Sequence, residues 1–440
     1  MSNEHNIAVI STWLRSADGV SIEADKWTRV FEKLGFNVSL IAGRIGSKTS
    51  LPNCIIPKMD FMHPKIRLIK KMAFDSRLDD AEKKALTELI KSNVSEIKEP
   101  LKNFIKQNEI SVLGLENLFS VPYNIPAAIA VYEIAKELNL KCILRHHDFI
   151  WEREYFIKHY NIPEIMAKYF PPQDLNAKHI VINQTAKAAL LQTKNITATV
   201  IPDFFDFESL REKDAYSKTF RKTLKIEKDK FLFLQPTRIV RRKKIERSIQ
   251  LVKEINKLSG KDNVLVVTGA PLYEAERYLK ELLKQCNEQS VRLVAADSYI
   301  KLSREMDNGK KIYSMHDAYL NCDAVTFPSD LEGFGLPVLE ACAYKKPLFV
   351  NNYPVFHEIK SKGFDFVMIN KKVTKKSVNK MYELLTKKKL REEATEKNFE
   401  LLQKHYSLES LSSQIIAIMD SFEDRSLTGT LKRAFSYFFR

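Results

Sequence analysis

Twice along this chain, short apolar runs alternate with amphipathic helical stretches, and a proline-containing pause at Ile201–Asp206 separates the two series. In the first series the predicted strands are Ile7–Ser11, Asn37–Ala42, Ser111–Leu115, Lys141–Arg145, His179–Asn183 and Ala198–Ile201, with helices such as Ile22–Leu34 and Ala127–Leu138 between them. In the second they are Phe231–Gln235, Val264–Thr268, Val291–Val294, Ala324–Phe327, Pro347–Val350 and Phe366–Ile369, with helices Ile245–Leu258, Tyr273–Cys286 and Lys311–Asn321. Strands that are apolar throughout are covered on both faces, and strand-helix alternation builds βαβ units around a parallel sheet. The expected fold is α/β, with two Rossmann-like, doubly wound domains in tandem. The 440 residues suit two cores of about 200 residues each.

The N-terminal domain is expected at 1–202, with a lysine-rich helical insertion at about 57–107, and the C-terminal domain at 203–415. After Lys375 the chain reads as consecutive helices, and a basic amphipathic tail occupies 416–440. Ligands of doubly wound sheets bind outside the carboxyl ends of the strands. Two such domains facing across a cleft would hold their ligand there.

Hydrophobic residues make up 44% and charged residues 29% of the chain, which excludes global disorder. A net charge of +16 attracts anions such as nucleotides, phosphorylated molecules, nucleic acid or acidic membrane. No zinc-knuckle, RNA-recognition or helix-turn-helix pattern accompanies it, so nucleic acid is not an expected partner. The five cysteines, Cys54, Cys142, Cys286, Cys322 and Cys342, lack metal-ligand spacing and are expected to be buried free thiols of a reducing compartment. Ile7–Ile10 is too short for the core of a signal peptide. No apolar run reaches the ~18 residues that span a bilayer. The expectation is a cytoplasmic protein.

The most specific pattern is Thr326-Phe-Pro-Ser-Asp-Leu-Glu-Gly-Phe-Gly-Leu-Pro-Val-Leu-Glu340-Ala. A buried strand ends at Phe327, a loop with Gly333 and Gly335 comes next, and Pro337 opens a helix. Glycines let the backbone approach a ligand closely, and the free N–H groups of a helix start favour anions. Glu332 lies in the loop and Glu340 about one turn inside the helix.

This run resembles the donor-site signature of family-four retaining glycosyltransferases (glycosyl transferases group 1), in which two glutamates seven residues apart flank a Gly-Phe-Gly loop. The resemblance implies the GT-B fold, two Rossmann-like domains facing across a cleft. It implies that Glu332 meets the hydroxyls of the donor sugar, that Glu340 meets the ribose of the nucleotide, and that the amides of Phe334, Gly335 and Leu336 contact sugar and phosphate.

A second run, Pro236-Thr-Arg238-Ile-Val-Arg-Arg-Lys243-Lys-Ile-Glu-Arg, comes after the strand Phe231–Gln235 and opens a helix. Breaking a sugar–phosphate bond builds negative charge on the leaving diphosphate, which a metal or fixed cations must neutralise. The chain has no Asp-x-Asp triplet, and an arginine and a lysine on one strand-to-helix turn can replace the metal. The family places such an arginine and lysine at the positions of Arg238 and Lys243. Lys244 stands where the family has glycine, so either Lys243 or Lys244 would reach the phosphates. No metal and no cofactor are expected.

In the first domain, Ser16-Ala-Asp-Gly19-Val20 resembles the family's N-terminal glycine loop, with Asp18 in place of one glycine. The resemblance brings Gly19 to the donor phosphates. After the strand Lys141–Arg145 come His146, His147 and Asp148, and then Arg153. A histidine at this strand end resembles the family's active-site histidine over the donor sugar, His147 first and His146 second. His146, Asp148 and Arg153 are further expected toward the acceptor. Thr268-Gly269 would flank the nucleotide.

The reading is a retaining glycosyltransferase moving a hexose from a UDP- or GDP-sugar to an acceptor hydroxyl, in glycoconjugate or polysaccharide synthesis, with the acceptor open. A nucleotide-sugar epimerase and a non-catalytic nucleotide-sugar-binding protein are the alternatives. The tail Arg425–Arg440 holds four basic and no acidic residues among Phe435, Tyr437, Phe438 and Phe439. It can lie on the cytoplasmic face of an acidic membrane, or pack back as a terminal helix.

Overall fold

The computed structural model describes residues 6–16, 18–158, 161–271, 276–301 and 303–422. The chain divides into two compact units, Met1–Pro202 with Ser412–Arg440, and Asp203–Leu411. In this division Ser412–Phe422 group with the first unit, whereas the sequence places the end of the second domain at 415. The tail 425–440 lies outside the described residues.

The first unit is built on seven strands: β1 Asn6–Leu14, β2 Asn37–Ile45, β3 Asn53–Ile55, β4 Val112–Glu116, β5 Lys141–His146, β6 Ala177–Val181 and β7 Thr199–Val200. Their order is β3-β2-β1-β4-β5-β6-β7 and every pairing is parallel. Ile7, Ala8, Val9 and Ile10 are at most 1% exposed, as in a sheet covered on both faces. The strand order reverses between β1 and β4, which makes the crevice beyond their carboxyl ends the switch point of this sheet. The insertion forms the helices Pro64–Phe74 and Asp80–Gln107, the second opened by a capping box between Asp79 and Glu82.

The second unit repeats the plan with β8 Leu232–Ile239, β9 Val264–Pro271, β10 Arg292–Ala295, β11 Ile300–Lys301, β12 Glu305–Asp307, β13 Lys310–Ser314, β14 Ala324–Phe327, β15 Leu348–Asn351 and β16 Val367–Ile369. Six of these form a parallel sheet in the order β10-β9-β8-β14-β15-β16, with its switch point between β8 and β14. Leu232, Phe233 and Leu234 are fully buried.

Two expectations change. The stretch predicted as helix Lys311–Asn321 begins as β13 and becomes helical only at Met315–Asn321. It belongs to a separate small sheet, β11-β13-β12. The start of the helix predicted at Tyr273 lies outside the described residues, and the helix is described over Glu276–Gln289. Three helices, Lys375–Thr386, Lys388–Tyr406 and Leu408–Asp420, make up the chain from Lys375 onward among the described residues, as read from sequence. All five cysteines are free, but Cys54 is only half-buried. Among the described residues no helix is long and apolar enough to cross a membrane.

Candidate active site

The switch point of the second unit brings together the two runs singled out in sequence. β8 leads through an irregularity after Gln235 to Arg238, which pairs with Gly269 of β9. A Cβ on Gly269 would sit 2.6 Å from the Arg238 Cα, so only glycine admits the arginine backbone there. Arg238 itself is exposed, and Thr268 beside Gly269 is buried.

Beyond Arg238, a turn of 3-10 helix at Arg241–Lys243 ends on Lys244, whose φ of 50° and ψ of 49° are left-handed. A glycine, which the resemblance implies at this position, would take this conformation without strain. The bend separates the two lysines. Lys243 is 8% exposed, and its Nζ lies 2.6 Å from Glu332 Oε1. Lys244 turns instead to Asp330 at 3.4 Å and Glu246 at 3.8 Å. Gln235, fully buried, donates to the Lys243 carbonyl at 3.0 Å and accepts from Ser248 Oγ at 2.7 Å, which holds the loop.

Further bonds lace this loop to the one after β14. Arg242 Nη1 donates to the Leu331 carbonyl at 3.0 Å and lies 3.1 Å from Glu332 Oε2. The Asp330 N–H donates to the Arg242 carbonyl at 3.0 Å. Arg247 Nη1 donates to the Pro328 carbonyl at 2.8 Å and to Asp330 Oδ1 at 2.5 Å. Burial pushes the Lys243 ammonium down to about 8, assisted by the like charges of Arg242 and Arg238 and opposed by Glu332. Burial alone would raise the Glu332 carboxyl, but Lys243 and Arg242 outweigh it and hold it below its ordinary value. The result is a cationic corner whose lysine holds its proton loosely until an anion arrives.

The loop then turns at Gly335, φ 115° and ψ 61°, into the helix Leu336–Ala343 with Pro337 in its first turn. Phe334 is 6% exposed and packs against Tyr406 at 5.6 Å. Glu340, on the same helix, accepts from the hydroxyl of Tyr319 at 2.5 Å. Tyr319 is 1% exposed and stacks on Tyr344 at 5.3 Å. Arg242, Gln235, Tyr319 and the tyrosine at 353 were not singled out in sequence. Only Arg242 had a signal there, its place in the basic run.

In the first unit, Asp18 caps the helix Gly19–Lys33, accepting from the Ser21 N–H at 3.0 Å. The aspartate found in place of a glycine thus holds the helix start, and Gly19 is its first residue. His147 is half-buried, with Nε2 2.8 Å from Glu116 Oε2 and its N–H donated to Asn117 Oδ1 at 3.1 Å. Glu116 is one member of a buried network. Arg145, 1% exposed, lies 3.1 Å from Glu23 Oε2 and 3.4 Å from Glu116 Oε2.

His146, expected toward the acceptor, lies inside its unit. It is 1% exposed, with Nδ1 2.6 Å from Ser120 Oγ and Nε2 3.0 Å from His179 Nδ1. Burial and the neighbouring histidines hold its imidazole well below its ordinary value, so it is a neutral core residue. Asp148 accepts from Asn117 at 2.8 Å and from Arg153 Nε at 2.6 Å. Arg153 is thereby engaged by a carboxylate within its own unit.

A doubly wound fold in each unit, with a cationic, glycine-opened helix start at the second switch point, is the architecture of the GT-B fold. The family described as glycosyl transferases group 1 matches residues 217–400. The mannosylglucosylglycerate synthase of Petrotoga mobilis is 32% identical over 385 residues, covering 83% of this chain and 87% of that protein. The mannosylglucosylglycerate synthase of Thermotoga maritima is 30% identical over 423 residues, covering 90% and 95%. Among solved structures, Anabaena HepE in complex with UDP and glucose aligns with a TM-score of 0.63 at 12% identity, covering 95% of this chain and all of that one. The chain belongs to the group 1 glycosyltransferases and is a glycosyltransferase of the GT-B fold.

Proposed function

We propose that the chain is a retaining, metal-independent hexosyltransferase using a nucleotide diphosphate sugar, and that its acceptor is a glucosylglycerate, the unit named in the products of its two curated relatives. The observation that carries the donor side is the corner where Lys243 meets Glu332 at 2.6 Å beside Arg242, Arg238 and the helix start at Gly335. Charge develops on the diphosphate as its bond to the sugar breaks, and fixed cations that need no reorganisation stabilise it most. In this reading Arg238 and Lys243 take the diphosphate, with Lys244 at the edge. Glu332 and the amides of Phe334, Gly335 and Leu336 orient the sugar. Glu340 takes a ribose hydroxyl, and Thr268 and Gly269 flank the nucleotide.

The acceptor oxygen bonds to the anomeric carbon on the face from which the diphosphate departs. Its proton passes to the leaving phosphate oxygen, and the configuration is retained. The net charge of +16 draws both anionic substrates toward the protein.

The test is a screen of UDP-glucose, UDP-N-acetylglucosamine and GDP-mannose by nucleotide release, with and without glucosylglycerate and with and without EDTA. Acceptor-stimulated release that resists EDTA, with an axial product linkage from an axial donor, is the expected result. An epimerised sugar formed without acceptor, or donor binding without turnover, would overturn it.

A further inference from the structure

The first unit has a switch point of its own, between β1 and β4, and beside it stands a construction that the donor chemistry leaves unused. Asp60 is 8% exposed. Its Oδ1 accepts from Trp13 Nε1 at 2.6 Å and from the Met62 N–H at 2.8 Å, and its Oδ2 pairs with Arg44 Nη2 at 3.1 Å. The Arg44 guanidinium lies 4.8 Å over the Trp13 ring. Trp13 in turn neighbours Phe61 at 4.4 Å, and Phe61 neighbours Tyr123 at 5.8 Å. One buried carboxylate therefore fixes both a cation and the first ring of an aromatic row at the carboxyl ends of β1 and β2.

Gly43, next to Arg44 on β2, makes the arrangement possible, because a Cβ there would collide with the backbone of Met59 and Asp60. The parts remain accessible. Trp13, Phe61 and Tyr123 are each partly exposed, and the Arg44 side chain is 54% exposed. Other arginines of this unit are held elsewhere, Arg153 by Asp148 and Arg145 by Glu23 and Glu116.

A row of aromatic rings offers its faces and edges to the C–H face of a pyranose. A guanidinium offers a planar fork that matches a carboxylate with two parallel hydrogen bonds. We infer that this construction is the acceptor seat: the ring row carries the sugar of a carboxylated glycoside, and Arg44 takes its carboxylate and selects it over neutral sugars. This rests on the proposed transfer to a glucosylglycerate and assigns that acceptor its residues.

Calorimetric titration of the full chain, with the nucleoside diphosphate present, compares glucosylglycerate with glucosylglycerol, in which a hydroxymethyl replaces the carboxylate. The wild type is expected to prefer the carboxylated ligand by about tenfold, the typical worth of a charge-assisted hydrogen bond. Arg44→Gln loses that preference, Arg44→Lys keeps part of it, and Phe61→Ala weakens both ligands alike. Lys91→Gln, on an exposed helix face, changes neither and controls for bulk charge. Equal binding of both ligands by the wild type, no binding of either, or an unchanged preference in folded Arg44→Gln overturns the seat. If glucosylglycerate is glycosylated normally while Arg44→Gln keeps its preference, only the seat falls. If the carboxylated ligand binds through Arg44 but never stimulates nucleotide release from any donor, the transfer reading falls, and with it the acceptor role, while Arg44 remains a carboxylate-binding residue.

Discussion

Tyr353 donates its hydroxyl to the carbonyl oxygen of Phe334 at 2.6 Å, and a Cβ on Gly335 would run into that same hydroxyl. Within one planar peptide the Phe334 carbonyl and the Gly335 N–H point in opposite directions. Fixing the carbonyl on Tyr353 therefore aims the Gly335 N–H away from it, where the loop opens its helix. Three residues on two segments thus set one amide of the proposed donor loop.

Gly335→Ala meets both a φ of 115° and the Tyr353 hydroxyl, and is expected to destabilise the chain by about 2–3 kcal/mol. In a Tyr353→Phe background the collision with the hydroxyl disappears, while the backbone strain and the ring contacts to Phe327 at 3.2 Å and to residue 353 at 3.3 Å remain, so the second change is expected to be milder. Urea denaturation of the four members of this cycle measures the coupling. Strict additivity would contradict the account.

Lys243 titrates near pH 8 in the folded chain because burial disfavours its charge. The kcat/KM for the donor is expected to fall as pH rises through about 8, since the neutral amine no longer attracts a diphosphate. The kcat should persist to higher pH, because the bound diphosphate holds the proton on the lysine. Between about 8 and 10.5 the unfolded chain keeps a proton that the folded chain has lost, so stability rises with pH over that window. Parallel kcat and kcat/KM profiles would argue against a role for Lys243 at the phosphates.

Arg238 is exposed, so Arg238→Ala should leave the melting temperature within about 2 °C of wild type. Turnover should fall by about 100- to 1000-fold, the range seen when one stabilising donor is removed from a developing charge. Steady-state kinetics and thermal melts of the same preparation test both halves. Undiminished turnover in a folded variant sinks the assignment.

His146 and His179 form a buried neutral pair, 3.0 Å between ring nitrogens, and burial lowers His179 from 6.5 to about 4. Below pH 6.5 the unfolded chain takes up protons that the folded chain refuses. Stability is expected to fall as pH drops from about 6.5 toward 4, by up to about 1.4 kcal/mol per pH unit for each histidine. His179→Gln should flatten that dependence. Urea midpoints measured from neutral to acid pH report it, and identical slopes for both proteins would refute the pairing.

Much of this molecule is legible from local pattern. A parallel strand buried on both faces is largely apolar, and twelve apolar runs predicted strands that the two large sheets contain, although the edge strands β7 and β10 are only partly buried. The strands that escaped prediction lacked that pattern. β3 is a three-residue edge strand, and β12 is exposed at all three positions. Lys311–Ser314 reads as the start of a helix because the pairing of β13 with β11 and β12 is not encoded in its own periodicity.

The candidate site divides the same way. Arg238, Lys243, Glu332, Gly335 and Glu340 could be picked out because strand-to-helix turns with glycine, proline and charge are local signals. By itself, then, the amino-acid order determined two doubly wound units, their strands and the turns that carry charge. Only the tertiary structure decided that β8 lies beside β14, that Lys243 rather than Lys244 reaches Glu332, that Tyr353 aims the glycine loop, and that His146 is core. Each of these depends on strand order or on contacts between residues far apart in the chain, and no local periodicity reports which distant segment fills a neighbouring place in the sheet.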